Sequence, residues 1–168
     1  MSQVYLLEPM STSGQWSFIG LIAMLVGIAA LVFFKRMPQP AKVASMALMV
    51  PPILAFSWVL YQINDAKLVI DEQTLTLDVP FYGFSLPLSE VDMQAISYLD
   101  WHTQPDLKPR LRTNGIGMPE LQLGWFKLKN QQKAFMAMTD QSKLIMIPTS
   151  HDYPIILSLQ QPGDLVGK

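Results

Sequence analysis

Arg110 and Arg112 stand two residues apart in the segment KPRLRTNGIG, with Lys108 just before them and Asn114 just after. On an extended strand, residues i and i+2 point to the same side, so this spacing sets two guanidinium groups on one face. Two planar donor forks beside the donor-rich run Asn114-Gly115-Ile116-Gly117 suit a phosphate, a carboxylate or an acidic peptide. The competing reading is a solvated, salt-bridged face, because an arginine on an exposed strand commonly does no more than that. Gly115 and Gly117 are read as enabling a tight turn with positive φ in preference to cradling a nucleotide.

Other chemistry finds less footing. The two histidines, His102 beside Trp101 and Asp100, and His151 beside Asp152, lack any motif spacing for zinc or iron. The chain has no cysteine, which excludes disulfides, thiolate metal sites and a cysteine nucleophile. Ser89, Ser97 and Ser150 have no Gly-x-Ser-x-Gly elbow around them. The expectation is therefore a protein that is no enzyme and carries no metal and no cofactor. Four large aromatics, Tyr82, Trp101, Trp125 and Phe126, are candidates for a face that meets lipid or a partner. Trp125 and Phe126 are adjacent, so on a strand one points inward and the other outward. Met136, Met138 and Met146 read as flexible core filler.

These residues sit in a chain of 168 residues that is 50% hydrophobic and only 15% charged, a composition that points to a part lying in a membrane. Twelve basic against thirteen acidic residues leave no overall charge to attract nucleic acid, and none is expected as a partner. Residues 16–34 and 43–63 are uncharged runs long enough to cross a hydrocarbon core of about 30 Å as helices. Residues 1–15 read as a tail without Lys or Arg, which argues against a cleaved signal peptide. Pro51 and Pro52 are expected to bend the second helix. Ala23, Gly27 and Ala30 on one helix, and Ala44, Ala47, Pro51 and Ala55 on the other, either let the helices approach closely or are simply common membrane residues. The eight-residue link KRMPQPAK forces an antiparallel hairpin. By the positive-inside bias its bases, Lys35, Arg36 and Lys42, point to a cytoplasmic link with both termini outside, in a cytoplasmic membrane crossed twice, the inverted topology being the alternative. Trp16, Trp58 and Tyr61 fall at the outer interface as an aromatic belt.

Residues 64–168 change character, with nine basic and twelve acidic residues and turn residues spaced among short apolar runs. LVI at 68–70 and TLTLDV at 74–79 read as a hairpin, followed by strands within FSLPLSEV, MQAISYLDW, LRTNGIG, GWFKLKN, AFMAMT and KLIMIPT. Ile96, Tyr98 and Asp100 are expected to share a face, and HTQPDLKP to form a loop. Six or seven such strands imply an antiparallel barrel or sandwich. The Pro80-Phe81-Tyr82 run, LPLSEV at 86–91, the arginine before NGIG at 112–117, GWF at 124–126 and the closing YPIILS resemble the bacterial pleckstrin-homology-like (PH) family over roughly residues 65–162. That resemblance implies a strongly bent seven-stranded sheet with a capping carboxy-terminal helix, behind two membrane helices. Here only six residues follow Pro162, so the helix is expected to be shortened and one end of the sandwich open.

The overall expectation is an α+β chain: a transmembrane helix hairpin followed by a mostly-β PH-like barrel or sandwich. Its expected role is a non-catalytic protein-interaction or assembly module at the membrane, the partner being another membrane protein or a second copy. The alternative is a module that binds a lipid headgroup or small ligand through Arg110 and Arg112.

Overall fold

The structure is a computed structural model that describes residues 2–118 and 120–166. The chain divides into two compact units: Thr12–Gln62, and a second unit made of the residues up to Ser11 together with the chain from Ile63 onward.

The first unit is a pair of helices, α1 (Thr12–Phe34) and α2 (Gln39–Gln62). Each is long and apolar enough to cross a membrane. Both begin about one turn before their apolar runs, since a helix need not stop where hydrocarbon ends. Pro40 sits in the first turn of α2, where a missing N–H costs nothing. Helical structure in α2 runs on through Pro51 and Pro52. The Phe18 and Phe56 rings meet edge to face at 5.9 Å, and Lys42 Nζ lies 5.3 Å from the Phe33 ring centre. A Cβ added at Gly20 or Gly27 would meet nothing within 4 Å, so these glycines do not mediate a close helix contact.

Among the described residues, the second unit holds ten strands in two sheets. In the four-stranded sheet, β1 (Gln3–Leu6), β2 (Lys67–Ile70), β3 (Thr74–Asp78) and β4 (Phe84–Pro87) follow one another antiparallel. The other strands are β5 (Ser97–Leu99), β6 (Pro109–Met118), β7 (Leu121–Leu128), β8 (Lys133–Met138), β9 (Leu144–Ile147) and β10 (Ile155–Ser158). They form a six-stranded sheet in the order β5-β9-β10-β8-β7-β6. The period-two runs become strands because alternate residues are buried: Leu68, Ile70, Leu75, Leu77 and Leu86 fill one face of the smaller sheet, while Thr76 and Ser85 bond to each other on the other.

Several expectations need correcting. The segment 1–15 is not a mere tail, because Gln3–Leu6 pairs with β2 and carries Tyr5, Leu7 and Met10 into the core. Leu7 bridges to Leu159, Glu8 N–H donates to Ser158 O, and Gln160 N–H donates to Leu6 O, so this segment joins the two sheets. After Pro162 the chain makes only a 3-10 turn (Pro162–Asp164), followed by a buried Leu165, while Gly167 and Lys168 lie outside the described residues. The sheet is not wholly antiparallel, since β10 pairs parallel with β8. Ile96 is buried while Tyr98 is exposed, because the strand starts only at Ser97. The run Asn114–Gly117 is no turn: β6 passes straight through it, and the chain reverses after Met118.

Candidate functional site

The arginine pair lies on β6, an edge strand of the larger sheet. Its pairing with β7 is interrupted twice, between Pro109 and Leu111 and between Arg112 and Asn114, so Arg110 and Thr113 are extra residues in two β-bulges. Beyond the bulges the register is regular, with Gly115 opposite Gly124 and Gly117 opposite Gln122. Gly115 and Gly124 have φ of 145° and 119°, and a Cβ at either would collide with the main chain of the other strand. Both positions therefore need glycine, for backbone conformation and for close approach.

Alternation along β7 puts Gln122, Gly124 and Phe126 on one face, and their partners Gly117, Gly115 and Arg112 share it. Of the three glycines among these six positions, Gly117 lines the groove, and Arg112 lies along it. A Cβ built at Gly117 would stand 3.3 Å from Arg112 Cδ, 3.6 Å from its Nη1 and 3.7 Å from Phe126 Cε1. The result is an open groove of about 360 Å³ lined by Arg110, Arg112, Gly117, Gln122 and Phe126, among others. Neither arginine has an ion-pair partner among the described residues, and both are exposed, as a solvated face would also leave them. Gln122 Oε1 is buried and has no hydrogen-bond partner. Leaving such an acceptor unpaired costs about 1–3 kcal/mol.

Two other hollows are differently equipped. One, of about 150 Å³, is lined by Val4, Tyr5, Leu6, Gln160, Gln161 and Asp164 and offers no base. The other, of about 400 Å³, lies on the outer face of the smaller sheet, and its one base, Lys67, is 3.6 Å from Asp78.

The remaining candidates scatter. Lys108 follows the 3-10 turn Pro105–Leu107 and does not line the groove. Asn114 is engaged elsewhere, accepting from Tyr82 Oη at 3.1 Å. Trp101 and Phe126 are core residues and not partner-facing ones: both are buried in a cluster with Leu99, Leu128, Met136, Leu144 and Ile156, and Trp101 is only 7% exposed. Phe126 is the inward member of its pair and contributes its edge to the groove. Trp125 is the outward member, half-buried, packing edge to face on Phe135 and Tyr153 with Lys133 Nζ 4.1 Å from its ring centre. Tyr153 also stacks on His151, whose Nε2 lies 2.8 Å from Glu90 Oε2. Burial, and secondarily the Glu90 carboxylate, raises the Tyr153 hydroxyl above its ordinary pKa. No group of three potential metal ligands, with or without His102 or His151, occurs among the described residues.

One signal was available in the sequence and is missed by the pairwise reading. Between Leu107 and Thr139 there are six bases and one acid, Glu120, whereas the rest of the chain after residue 63 has three bases and eleven acids. The strands around the groove thus form a positive island in an acidic unit.

This two-sheet β unit with a basic groove at one sheet edge has the build of a binding domain. Residues 66–165 match the family described as Bacterial PH domain, and the chain belongs to that family. The matched range leaves out β1, so the strand that joins the two sheets comes from outside it. Comparison with curated proteins and with solved structures gives no match. Membership in a PH family points to a protein-interaction or lipid-binding module, a class that generally works without catalysis.

Proposed function

We propose that this protein is a membrane-anchored recognition module that holds an anionic ligand in the groove beside β6, and that acts by binding without turnover. The observation that carries the reading is the pair Arg110 and Arg112 lining one groove, Arg112 beside Gly117, without ion-pair partners among the described residues. In the proposed topology α1 and α2 cross the membrane, the 35–42 link is cytoplasmic and the β unit faces outward. Because β1 pairs with β2, the chain on both sides of the hairpin belongs to one folded unit, which fits an even number of crossings.

A protein partner is the second reading, and a specific feature favours it: β6 is a ten-residue edge strand whose Leu111 is 59% exposed. Physical weight lies with the groove. Two bulges, Pro109 and the arginines are the devices by which edges resist pairing with another strand.

Native mass spectrometry of the full-length protein, gently extracted from membranes, tests the proposal. Wild type should retain about one anionic ligand per chain, and an Arg110→Ala, Arg112→Ala variant should lose it. A stoichiometric protein retained equally by both would favour the second reading.

A further inference from the structure

The smaller sheet carries a row of residues that complements itself. Tyr5, Leu68 and Leu77 are buried on its inner face, so their neighbours Leu6, Lys67 and Asp78, in register across β1, β2 and β3, point outward. Lys67 Nζ lies 3.6 Å from Asp78 Oδ2, and both side chains keep contact with solvent. Three residues past Asp78, in the turn that leads to β4, Phe81 is 62% exposed, and Leu6 at the other end of the row is half-exposed. The turn is fixed: Tyr82 N–H donates to Pro80 O at 2.8 Å, Phe81 has a φ of 62°, and the Tyr82 hydroxyl is bonded to Asn114. A bulky side chain at positive φ is strained, and such strain gathers at ligand clamps and switches.

We propose that this face is a two-fold interface with a second copy of the chain, in which Leu6 meets the partner's Phe81 and Lys67 meets the partner's Asp78. Across the sheet the row runs apolar, positive, negative, apolar: Leu6, Lys67, Asp78, Phe81. A two-fold rotation turns it into apolar, negative, positive, apolar, so each charge lies over its opposite and each apolar group over another. The direction of the axis follows from the chain path. Five residues join Leu6 to α1 and four join α2 to Lys67, so this end of β1 and β2 is the one that leads to the helix hairpin. Two copies whose hairpins share a membrane present the same end, which selects an axis along the strands and keeps the row over its own counterpart. The neighbouring row is Val4, Val69, Thr76 and Ser85, in register across all four strands. Val4 is exposed, and the Thr76 and Ser85 hydroxyls already bond to each other at 2.8 Å, which lowers the cost of covering them with the partner's Val4 and Val69. The contact needs β1 and closes at two copies. It lies on the sheet that does not carry the arginines and is independent of the β6 groove.

The test is sedimentation velocity of the full chain in detergent micelles over a range of concentrations, with melting curves to confirm that each variant is folded. Wild type should reach a dimer and stop there. Lys67→Asp and Asp78→Lys each gather four like charges at the contact and should each weaken the dimer about tenfold or more. An equimolar mixture of the two variants should restore it, because each acidic row then faces a basic one. Phe81→Gly suits the positive φ, so it should leave the melting temperature unchanged or higher while weakening the dimer about tenfold or more. Wild type that stays monomeric would overturn the proposal, as would a mixture that associates no better than its components or a dimer unaffected by Phe81→Gly. Association retained equally by every variant, as helix pairing inside the micelle would produce, overturns it too. The chain has no cysteine, so a fluorescent label at Phe81→Cys reports on that site alone. Its quenching by brominated lipid in vesicles would assign Phe81 to the bilayer and overturn the two-copy contact, whereas a label that brominated lipid leaves unquenched agrees with it.

Discussion

Lys143 Nζ lies 3.1 Å from Glu8 Oε2, joining residues 135 apart in the chain at the point where the amino-terminal segment crosses from one sheet to the other. Thr139 Oγ1 donates to Glu8 O at 2.5 Å, and Thr139 N–H donates to the buried Ser158 hydroxyl at 3.0 Å. The ion pair is partly exposed and contributes little by itself; the apolar neighbours carry the energy. Leu7→Ala should therefore destabilise the β unit by about 2–5 kcal/mol, and Glu8→Gln by under about 1 kcal/mol. Urea unfolding followed by tryptophan fluorescence would measure both. Equal effects would mean that the segment is held by charge and not by burial.

The isolated fragment 64–168 is expected to be less stable and more prone to self-association than the same fragment joined to residues 2–10 through a flexible linker. Without Tyr5, Leu7 and Met10 it exposes core surface worth about 1.5–3 kcal/mol for each large side chain. It also leaves β2 as an unpaired edge. Sedimentation velocity over a range of concentrations distinguishes the two proteins.

Gly115→Ala and Gly124→Ala should each cost about 2 kcal/mol or more, because each forces an L side chain into a positive φ and against the facing strand. Gly27→Ala, where a Cβ meets nothing within 4 Å, should be neutral or slightly stabilising. Thermal unfolding of the three variants provides the comparison.

Asp140 gives a pH dependence whose sign is fixed by its contacts. Its Oδ1 accepts from the Ser142 N–H at 2.7 Å and from the Ser142 hydroxyl at 2.8 Å. The backbone hydrogen bond is the main cause that holds the carboxyl below its ordinary value of 3.8, outweighing partial burial, with the Ser142 hydroxyl and Lys143 helping. A carboxyl depressed in the folded state stabilises above its unfolded pKa and loses that contribution as pH falls through the folded value. Wild type should melt higher than Asp140→Asn at neutral pH, and the gap should narrow as pH drops below 3.8. A gap that widens in acid would contradict this assignment.

For topology, alkaline phosphatase fused after Lys168 should be active, and a cysteine placed in the 35–42 link should be shielded from an impermeant thiol reagent added outside. Phosphatase silence together with an active cytoplasmic reporter would invert the arrangement.

Much of the architecture was legible because its signals are local. The uncharged runs at 16–34 and 43–63 mark the two helices, and the alternation of Leu68, Ile70, Leu75 and Leu77 marks the first hairpin of residues 64–168. What escaped depends on distant pairing. The segment QVYL is too short to declare itself a strand, and only β2, more than 60 residues later, makes it one. The NGIG run looks like a turn, and Gly115 does take positive φ, yet the cause is the opposing Gly124 and not a chain reversal, and Gly117 has no positive φ. Trp101 looks like a surface aromatic beside His102 and Asp100 until the sheet folds over it. Arg110 and Arg112 were legible as a pair, but Gln122 joins them only through the register of β6 with β7.

The central claim, an anionic ligand held at Arg110 and Arg112, is tested most directly by phenylglyoxal modification in intact membrane vesicles, mapped by peptide mass. The chain has three arginines, so Arg36 in the helix link serves as the internal comparison. With reagent on both sides of the membrane, Arg110 and Arg112 should be protected in native vesicles and become reactive after delipidation and exhaustive washing, while Arg36 reacts equally in both states. Reactivity of Arg110 and Arg112 that is the same before and after ligand removal would contradict the account.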